Sequence, residues 1–386
     1  MALVRLLIAL LLLLLPPLEA SEASPAQTCQ EASGLFQEAR KYEQEGDLRK
    51  AEELYREYLR LAPASAVGHT NLGVVYAHEE KLDKAIAEYK QALLIDPTLQ
   101  PVYTNLGIAC FKSGRFAEAV KPLEKALSFD SQNAQARQLL GITYSQLDRY
   151  DAAISMLTPL AGERDPGVLF ALGACYEKLG KLDQAQETFK TLLTSEPNSP
   201  RAHFVLGEVY FGLNQFPQGG KEFEAVYALD PQWPQIHLLL GAAEAKLGHF
   251  EEAENDLRLE LHDHPQSFAA SFTLGALLSK QGNYDEAIEL LERAKQARGG
   301  YADALSELAR AYWKKGLTDE AAKNARAAVA ANPKNRPAHF LLAQIAQKNG
   351  DQATARREFA IAASLSEEES GHDILRFAEE SQKSPR

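Results

Sequence analysis

Histidine is the residue type in this chain best suited to metal binding or acid–base chemistry, and four histidines recur at spacings near multiples of 34 residues. These are His69, His203, His237 and His339. Zinc requires its ligand nitrogens within about 2.1 Å of one ion. Residues one period apart would lie about 8–10 Å apart if each period is a packed helical unit. We therefore expect packed, hydrogen-bonded histidines and no metal site.

The short motifs that mark common catalytic and cofactor sites are missing from the sequence. It has no His-Glu-x-x-His, no phosphate-binding glycine loop, no Gly-x-Ser-x-Gly and no nucleotide-binding fingerprint. Three cysteines cannot form a disulfide framework, and Cys110 and Cys175 are expected to be separate thiols of the core. We predict a protein that is not an enzyme, with no catalytic residue, cofactor or metal.

Composition and charge narrow the class of partner. The 386 residues are 45% hydrophobic and 24% charged, which is ordinary for a soluble globular protein. Asp and Glu number 53 against 41 Lys and Arg, for a net charge of −12. Binding to a phosphate backbone depends on a basic surface, so nucleic acid is excluded as the main partner.

The first 23 residues have the order of a secretory signal peptide. Arg5 precedes an apolar run, Leu6–Leu15, and small residues at Ala20 and Ala23 offer two cleavage sites. The run is shorter than the ~20 residues of a spanning helix. We expect a cleaved signal over residues 1–23, a linker over 24–31, no membrane segment in the mature chain, and export to a periplasm or the extracellular space. An uncleaved signal would leave the chain membrane-associated, and the choice between the two cleavage sites stays open.

A single period organises the remaining sequence. Ten positions follow one another at steps of 34 residues, with one step of 32 between Asp148 and Gly180. Seven of them are Gly46, Gly114, Gly180, Gly248, Gly282, Gly316 and Gly350, and the other three are Glu80, Asp148 and Asn214. Glycine, and less readily Asn or Asp, tolerates a left-handed backbone. The pattern predicts a tight turn at each position, with Glu80 as the exception in residue type.

Two further small residues accompany each turn position. Seven residues before it and five residues after it, every unit has Gly or Ala, as at Gly207 and Gly219 around Asn214. Small residues let two helix axes approach closely. Apolar residues at i, i+3, i+4 and i+7 predict amphipathic helices on both sides of the turn. Each unit is therefore predicted to be a helix, a turn and a second helix.

This arrangement resembles the tetratricopeptide repeat family. Besides the small residues, it has an aromatic residue at unit position 11, as at Tyr76 and Tyr312, and proline at position 32, as at Pro97. The resemblance implies an all-α fold, a right-handed α-solenoid of stacked antiparallel helical hairpins. Ten units are predicted: 32–65, 66–99, 100–133, 134–165, 166–199, 200–233, 234–267, 268–301, 302–335 and 336–369.

Three local features depart from this regularity. The fourth unit is two residues short near Ala161–Arg164, where we expect an irregular joint. Glu260 takes a place that is apolar in most units, and we expect its side chain at the edge of its helix. Residues 370–386 follow the array, and their apolar face predicts a capping helix and a tail.

The family resemblance also implies that the first helices line a ligand groove through unit positions 2, 5, 9, 12 and 13. Candidate aromatic residues of this groove are Phe111, Phe170, Phe204, Phe211, Phe272, Trp313 and Phe340. Phe211 and Trp313 are the better candidates, because a phenylalanine at position 5 also fits the core between neighbouring helices. Both interpretations stay open at this stage.

Polar groove candidates come in two sets. Asn71 and Asn105 share position 6, where in peptide-binding family members an amide reaches the ligand backbone. Lysines at position 13 form a row that would attract an acidic partner segment or serve only as solvated charge at helix C-termini. The lysines assigned to the groove are Lys178, Lys246, Lys280 and Lys314; Lys112 and Lys348 share their position.

These features favour a scaffold or assembly factor that binds peptide or protein segments in its groove. Two alternatives stay open: a periplasmic adaptor of a polysaccharide or protein secretion complex, and a partner that selects substrates for a glycosyltransferase. Self-association through the convex face or the ends of the array is a further open point.

Overall fold

The structure is a computed structural model that describes residues 25–365. Within this range the fold is all-α, as predicted, and no residue forms a β-strand. The predicted signal peptide and the predicted capping helix lie outside the described residues. The predicted linker is wrong from Pro25 onward, because the first helix already begins at that residue.

Twenty α-helices follow one another in the described residues. They are α1 (Pro25–Glu45), α2 (Leu48–Leu61), α3 (Ala66–His78), α4 (Leu82–Ile95), α5 (Gln100–Lys112), α6 (Phe116–Phe129), α7 (Ala134–Gln146), α8 (Tyr150–Leu157), α9 (Pro166–Lys178), α10 (Leu182–Ser195), α11 (Pro200–Gly212), α12 (Phe216–Leu229), α13 (Ile236–Leu247), α14 (Phe250–Asp263), α15 (Phe268–Gln281), α16 (Tyr284–Ala297), α17 (Ala302–Lys314), α18 (Thr318–Ala331), α19 (Arg336–Lys348) and α20 (Gln352–Ser364).

The helices pair into consecutive hairpins, numbered here one to ten, and divide into two compact units after Leu160. Hairpins one to four belong to the first unit and hairpins five to ten to the second. Within each unit a helix packs against the helices before and after it, and first helices of successive hairpins also touch, as α3 touches α5 and α15 touches α17. Each unit is therefore an α-solenoid.

The joint expected near Ala161–Arg164 is irregular. Helix α8 ends early at Leu157, a 3₁₀-helix covers Thr158–Glu163, and Arg164 has a φ of 54°. A unit two residues shorter than the others cannot keep a full second helix. The chain uses the tighter 3₁₀ turn and one left-handed residue instead.

The turn inside each hairpin has one residue in the left-handed backbone region. All ten predicted turn positions have positive φ, from 56° at Glu80 to 89° at Gly282. Glu80 is held there by hydrogen bonds, since its own N–H donates to the Ala77 carbonyl at 3.2 Å and the Lys81 N–H donates to the Tyr76 carbonyl at 2.9 Å. These hydrogen bonds are the usual closure of a helix C-terminus. The positive φ values confirm the predicted turn at all ten positions.

The predicted small residues mark the places where the two helices of a hairpin approach most closely. A Cβ atom added to Gly207 would lie 2.5 Å from Phe223 Cε1, and one added to Gly107 would lie 2.5 Å from Leu123 Cδ2. The large side chain of the second helix therefore packs directly on the glycine backbone of the first.

Side-chain caps start most first helices. The side chains of Ser65, Asn133, Asp165, Ser199, Ser267 and Asn335 each accept a hydrogen bond from the backbone N–H three residues later. Helix α13 differs, because its N-cap residue Gln235 has a φ of 60° and makes no side-chain cap. Its N-terminus needs another acceptor.

Glu260 lies close to this N-terminus. Its side chain is buried, with 3% exposure, so the expectation of an edge position is wrong. The backbone N–H of Leu238, in the first turn of α13, favours the charged form of the Glu260 carboxylate, and Oε1 of Glu260 is buried without a hydrogen-bond partner in the described chain. Burial raises the pKa of Glu260, because the charged form loses its hydration, and the Leu238 N–H and nearby His264 offset this only in part.

Replacing Gly207 tests the close helix approach. The Gly207→Ala variant should lose about 1–3 kcal/mol of unfolding free energy, because the new methyl group overpacks the Phe223 ring. Gly34→Ala is the matched control, since Gly34 lies inside α1 with no atom within 4 Å of the added Cβ, and it should gain about 0.5–1 kcal/mol from helix propensity. Urea unfolding followed by circular dichroism measures both. Equal effects of the two variants would contradict the packing.

Replacing Glu260 tests the buried carboxylate. A folded-state pKa above the ordinary value of 4.5 means that ionisation destabilises the fold, and that stability is gained as pH falls from neutral towards 4.5. Glu260→Gln should therefore be more stable than the wild type at pH 7.5, and this difference should shrink towards pH 4.5. The control Glu224→Gln changes an exposed residue and should show no such trend. A pH-independent difference for Glu260→Gln would rule out the ionised, buried state.

Candidate functional site

Four recurring histidines join the two helices of their own hairpin, and three of them also contact the loop before it. His69 Nδ1 lies 2.6 Å from Glu88 Oε2 on the second helix, and its Nε2 lies 3.1 Å from the Pro63 carbonyl oxygen. The same pair of contacts recurs at His203, with Glu222 and Pro197, and at His339, with Glu358 and Pro333. His237 Nδ1 lies 2.9 Å from Asp256. The prediction of packed, hydrogen-bonded histidines is confirmed.

Two of the cysteines serve as packing residues of the core. Cys110 and Cys175 are buried core thiols, as predicted, and burial raises the pKa of the Cys110 thiol, which keeps it in the unreactive neutral form. Residues 25–365 contain no group of three His, Cys, Asp or Glu side chains placed to hold a metal ion.

Two of the predicted groove aromatics belong to the core. Phe204 and Phe211 are each only 6% exposed. Phe204 packs on Trp233 at 5.4 Å between ring centroids, and Phe211 packs on Phe216 and on Phe223, both at 5.3 Å. Their interpretation as ligand-facing residues is corrected, because packing within the unit accounts for both.

The other aromatic candidates keep part of their surface accessible. Phe340 is 49% exposed and packs edge-on against Phe359. Phe111, Phe170, Phe272 and Trp313 are half-buried. Trp313 carries the Lys348 ammonium above its ring, 4.8 Å from the ring centroid, so part of its face is already occupied.

The two asparagines at position 6 differ in their surroundings. Asn71 Nδ2 donates to the Tyr55 hydroxyl at 3.2 Å, and that hydroxyl donates to Glu43 at 2.7 Å. The Asn105 side chain has no hydrogen bond to any residue that the structure describes. Of the two, only Asn105 keeps its whole amide free of hydrogen bonds within the described chain, whereas Asn71 uses one N–H.

Asn105 lines an open cleft in the first unit, between hairpins two and three. The cleft has a volume of about 370 Å³ and is lined by Val74, Ala77, His78, Glu80, Leu82, Tyr89, Asn105, Ile108, Ala109 and Lys112. Most of these residues come from α3 and α5, the first helices of the two hairpins. The cleft therefore combines aliphatic side chains with the Asn105 amide, the Lys112 ammonium, the Glu80 carboxylate, the His78 imidazole and the Tyr89 side chain. We call it the Asn105 cleft.

The position-13 lysines fall into two groups. Lys178 lies 3.2 Å from Glu177 Oε2. Lys246, Lys280 and Lys314 form no ion pair or hydrogen bond with any residue in 25–365. Burial, with the charge of nearby Lys280, lowers the pKa of Lys246.

A polar pair on α17 was missed by the sequence analysis. Glu307 occupies position 6 of the ninth unit and accepts a hydrogen bond from Arg310 at position 9. Burial raises the pKa of Glu307, and the charges of Arg310 and Lys280 oppose this. The sequence signal was present, because both residues fall on positions that the family resemblance assigns to the groove.

Tyrosine hydroxyls join successive hairpins, which the sequence did not predict either. The Tyr144 hydroxyl donates to Glu124 at 2.5 Å and the Tyr312 hydroxyl to Glu292 at 3.1 Å, in each case on the second helix of the preceding hairpin. Burial and the neighbouring carboxylate raise the pKa of Tyr312 to about 12.

Comparison with family models places most of the chain among tetratricopeptide repeats. Residues 35–159 match the model of the cilia and flagella-associated protein 70 middle TPR-like domain. Residues 278–323 match one tetratricopeptide-repeat model, and residues 170–234 and 306–369 match another. The chain belongs to the tetratricopeptide-repeat family. No curated protein matches its sequence.

The chain is similar to several solved structures. The Cut9–Hcn1 heterotetramer structure of the APC/C has a TM-score of 0.50 and 14% identity, over 90% of this chain and 90% of that one. Yeast Tom70 has a TM-score of 0.41 and 16% identity, over 92% and 96%. YrrB, described as a TPR protein with an unusual peptide-binding site, has a TM-score of 0.44 and 22% identity, over 50% and 100%. The Cut9 match shows a shared α-solenoid fold and no more.

None of the helices within residues 25–365 combines the length and the apolar character needed to span a bilayer.

Proposed function

We propose that this chain is a non-enzymatic scaffold that binds segments of other proteins on the faces formed by its first helices, with each hairpin acting as one tetratricopeptide repeat. The observation that carries the proposal is the Asn105 cleft. An amide without a hydrogen-bond partner in the described chain lies there beside apolar side chains of two neighbouring first helices.

The chemistry of the cleft suits a peptide backbone. An asparagine amide donates and accepts at once, so it can pair with the C=O and the N–H of one residue of an extended segment. Val74 and Ile108 line the same cleft and would cover an apolar side chain of that segment. A peptide bound in this way would be held by apolar contacts that match its shape and by hydrogen bonds to its backbone.

The structural contacts made by the histidines and buried cysteines support a scaffold role. Three histidines use both ring nitrogens to hold helices and loops together, as His203 does with Glu222 and Pro197. The thiols of Cys110 and Cys175 are buried in the core. These histidines and buried thiols thus stabilise the repeats, while the accessible amide of Asn105 lies in an open cleft.

We further propose that the protein acts outside the cytoplasm. The support is the order of charge, apolar run and small residues over residues 1–23, which is that of a cleaved secretory signal.

Selection of peptides on the purified protein tests the binding proposal. Random peptides displayed on phage should yield binders whose affinity falls about tenfold in Asn105→Ala, the loss expected when one or two hydrogen bonds to the ligand are removed. The variant should unfold at the wild-type urea midpoint, because Asn105 has no hydrogen bond to lose within the described chain. The matched control is Leu94→Ala, on the second helix α4, where the leucine is 77% exposed. Selected peptides that bind Asn105→Ala as tightly as the wild type would overturn the proposed site.

Sequencing the N-terminus of the protein recovered from cells tests the export proposal. Expression of the full chain with its own leader should give an exported protein beginning at Ser24 or Ser21. A protein that stays in the cytoplasm and still contains Leu6–Leu15 would overturn it.

A further inference from the structure

The lysine row is defined here as Lys246, Lys280 and Lys314. Each residue lies in the last turn of a first helix, on α13, α15 and α17 of three successive hairpins in the second unit. Helix α13 touches α15, and α15 touches α17. The repeat therefore places the three ammonium groups side by side, one for each hairpin.

The row has no internal counter-charge. Among the described residues, none of its three ammonium groups has an ion pair or a hydrogen bond. Other lysines of the chain are paired, as Lys81 is with Glu52 at 2.7 Å. In a protein with a net charge of −12, three neighbouring lysines that form no ion pair with a described carboxylate are a local positive surface.

Carboxylates near the row are already engaged. Glu244, on the same helix as Lys246, lies 2.5 Å from His249 Nδ1. Glu307 accepts from Arg310, and its burial raises its pKa, which weakens its competition for lysine. Burial and the charge of nearby Lys280 together lower the pKa of Lys246, so the positive charges of the row act on one another.

The pitch of the repeats sets the spacing that a ligand must match. Packed helices lie about 8–10 Å apart. A polyproline II segment has three residues per turn and rises about 3.1 Å per residue, so its residues i, i+3 and i+6 share one face at intervals of about 9 Å. Acidic residues at every third position of such a segment would each meet one lysine.

We propose that the lysine row binds an extended acidic segment of a partner protein, with Asp or Glu at every third residue. This rests on the proposed function, because it assumes that first-helix faces bind protein segments. It adds the charge, conformation and register of one such segment, at a surface distinct from the Asn105 cleft. Phe216, whose ring lies 5.6 Å from Lys246 Nζ, borders the row with an apolar contact for the intervening residues.

Fluorescence anisotropy with three labelled nonapeptides tests the register. The first is (Glu-Pro-Pro)₃, the second has the same composition with its three glutamates adjacent, and the third replaces glutamate by glutamine. The first should bind, with an affinity that falls as salt is added. The clustered and glutamine peptides should bind about tenfold more weakly, the size expected from losing exposed ion pairs.

The variant Lys246→Gln/Lys280→Gln/Lys314→Gln should lower the affinity for the spaced peptide about tenfold. Its matched control is Lys190→Gln/Lys221→Gln/Lys323→Gln, which removes the same charge from exposed positions on second helices of the second unit and should leave the affinity nearly unchanged. Circular dichroism should show wild-type helix content in both. Equal loss in both variants would show a general field effect and overturn the proposal.

Further outcomes separate this inference from the proposed function. A helical acidic peptide that binds the row more tightly than the spaced peptide overturns the extended register. Absence of binding by the spaced peptide, while selected peptides still bind at the Asn105 cleft, overturns the lysine-row proposal alone. Failure of every peptide at both surfaces overturns the proposed function as well.

Discussion

The close approach of the two helices in each hairpin is the constraint on which the rest of this structure depends. It requires a residue without a large side chain where the helices meet, and a left-handed residue in the turn so that the chain can reverse within a few residues. At Gly207 the ring of Phe223 occupies the space that a Cβ would need. Once this contact is fixed, the register of both helices is fixed, and so is the face that each presents to the next hairpin.

This constraint decides which side chains remain for a ligand. Large aromatic residues near the contact are drawn into the core, and polar groups bind to the neighbouring helix, as the histidines bind to Glu88 and Glu222. The accessible groups are those that the internal contacts do not use. Asn105 and the lysine row belong to this class. Asn71 has the same place in its repeat as Asn105, but it donates one N–H to the Tyr55 hydroxyl.

Much of the fold followed from the sequence, because the turn and packing positions are set by residue size, and size is visible in every repeat. Burial of individual groove positions depends on pairs of residues. Phe211 faces Gly219, where its ring lies 2.5 Å from the site of an added Cβ, and it is buried. Trp313 faces Ala321 at the same pair of positions and stays half-buried. The sequence shows alanine at position 321 and glycine at position 219. The effect of this difference on the burial of the facing aromatic residue depends on the distance between the two helices, which the sequence does not give.

Glu260 shows a second limit of the sequence. A carboxylate at an apolar position suggests exposure, since burying a charge is costly. The structure buries it beside the N-terminus of helix α13, which has no side-chain cap at Gln235 and whose Leu238 N–H favours the charged carboxylate. Gln235, the N-cap residue of α13, lies 25 residues before Glu260 in the chain. No local sequence pattern predicts the left-handed backbone of Gln235.

The same reasoning explains why partner choice in a repeat protein comes from a few side chains. Helix packing gives every hairpin nearly the same shape and spacing, so shape alone distinguishes one segment of a ligand poorly from the next. Charges and amides that are unused inside the chain break this uniformity, and the repeat imposes its own spacing on them. A ligand is then recognised when its polar groups recur at the same interval as the helices. This interval depends on the order of residues in the ligand as well as on its composition.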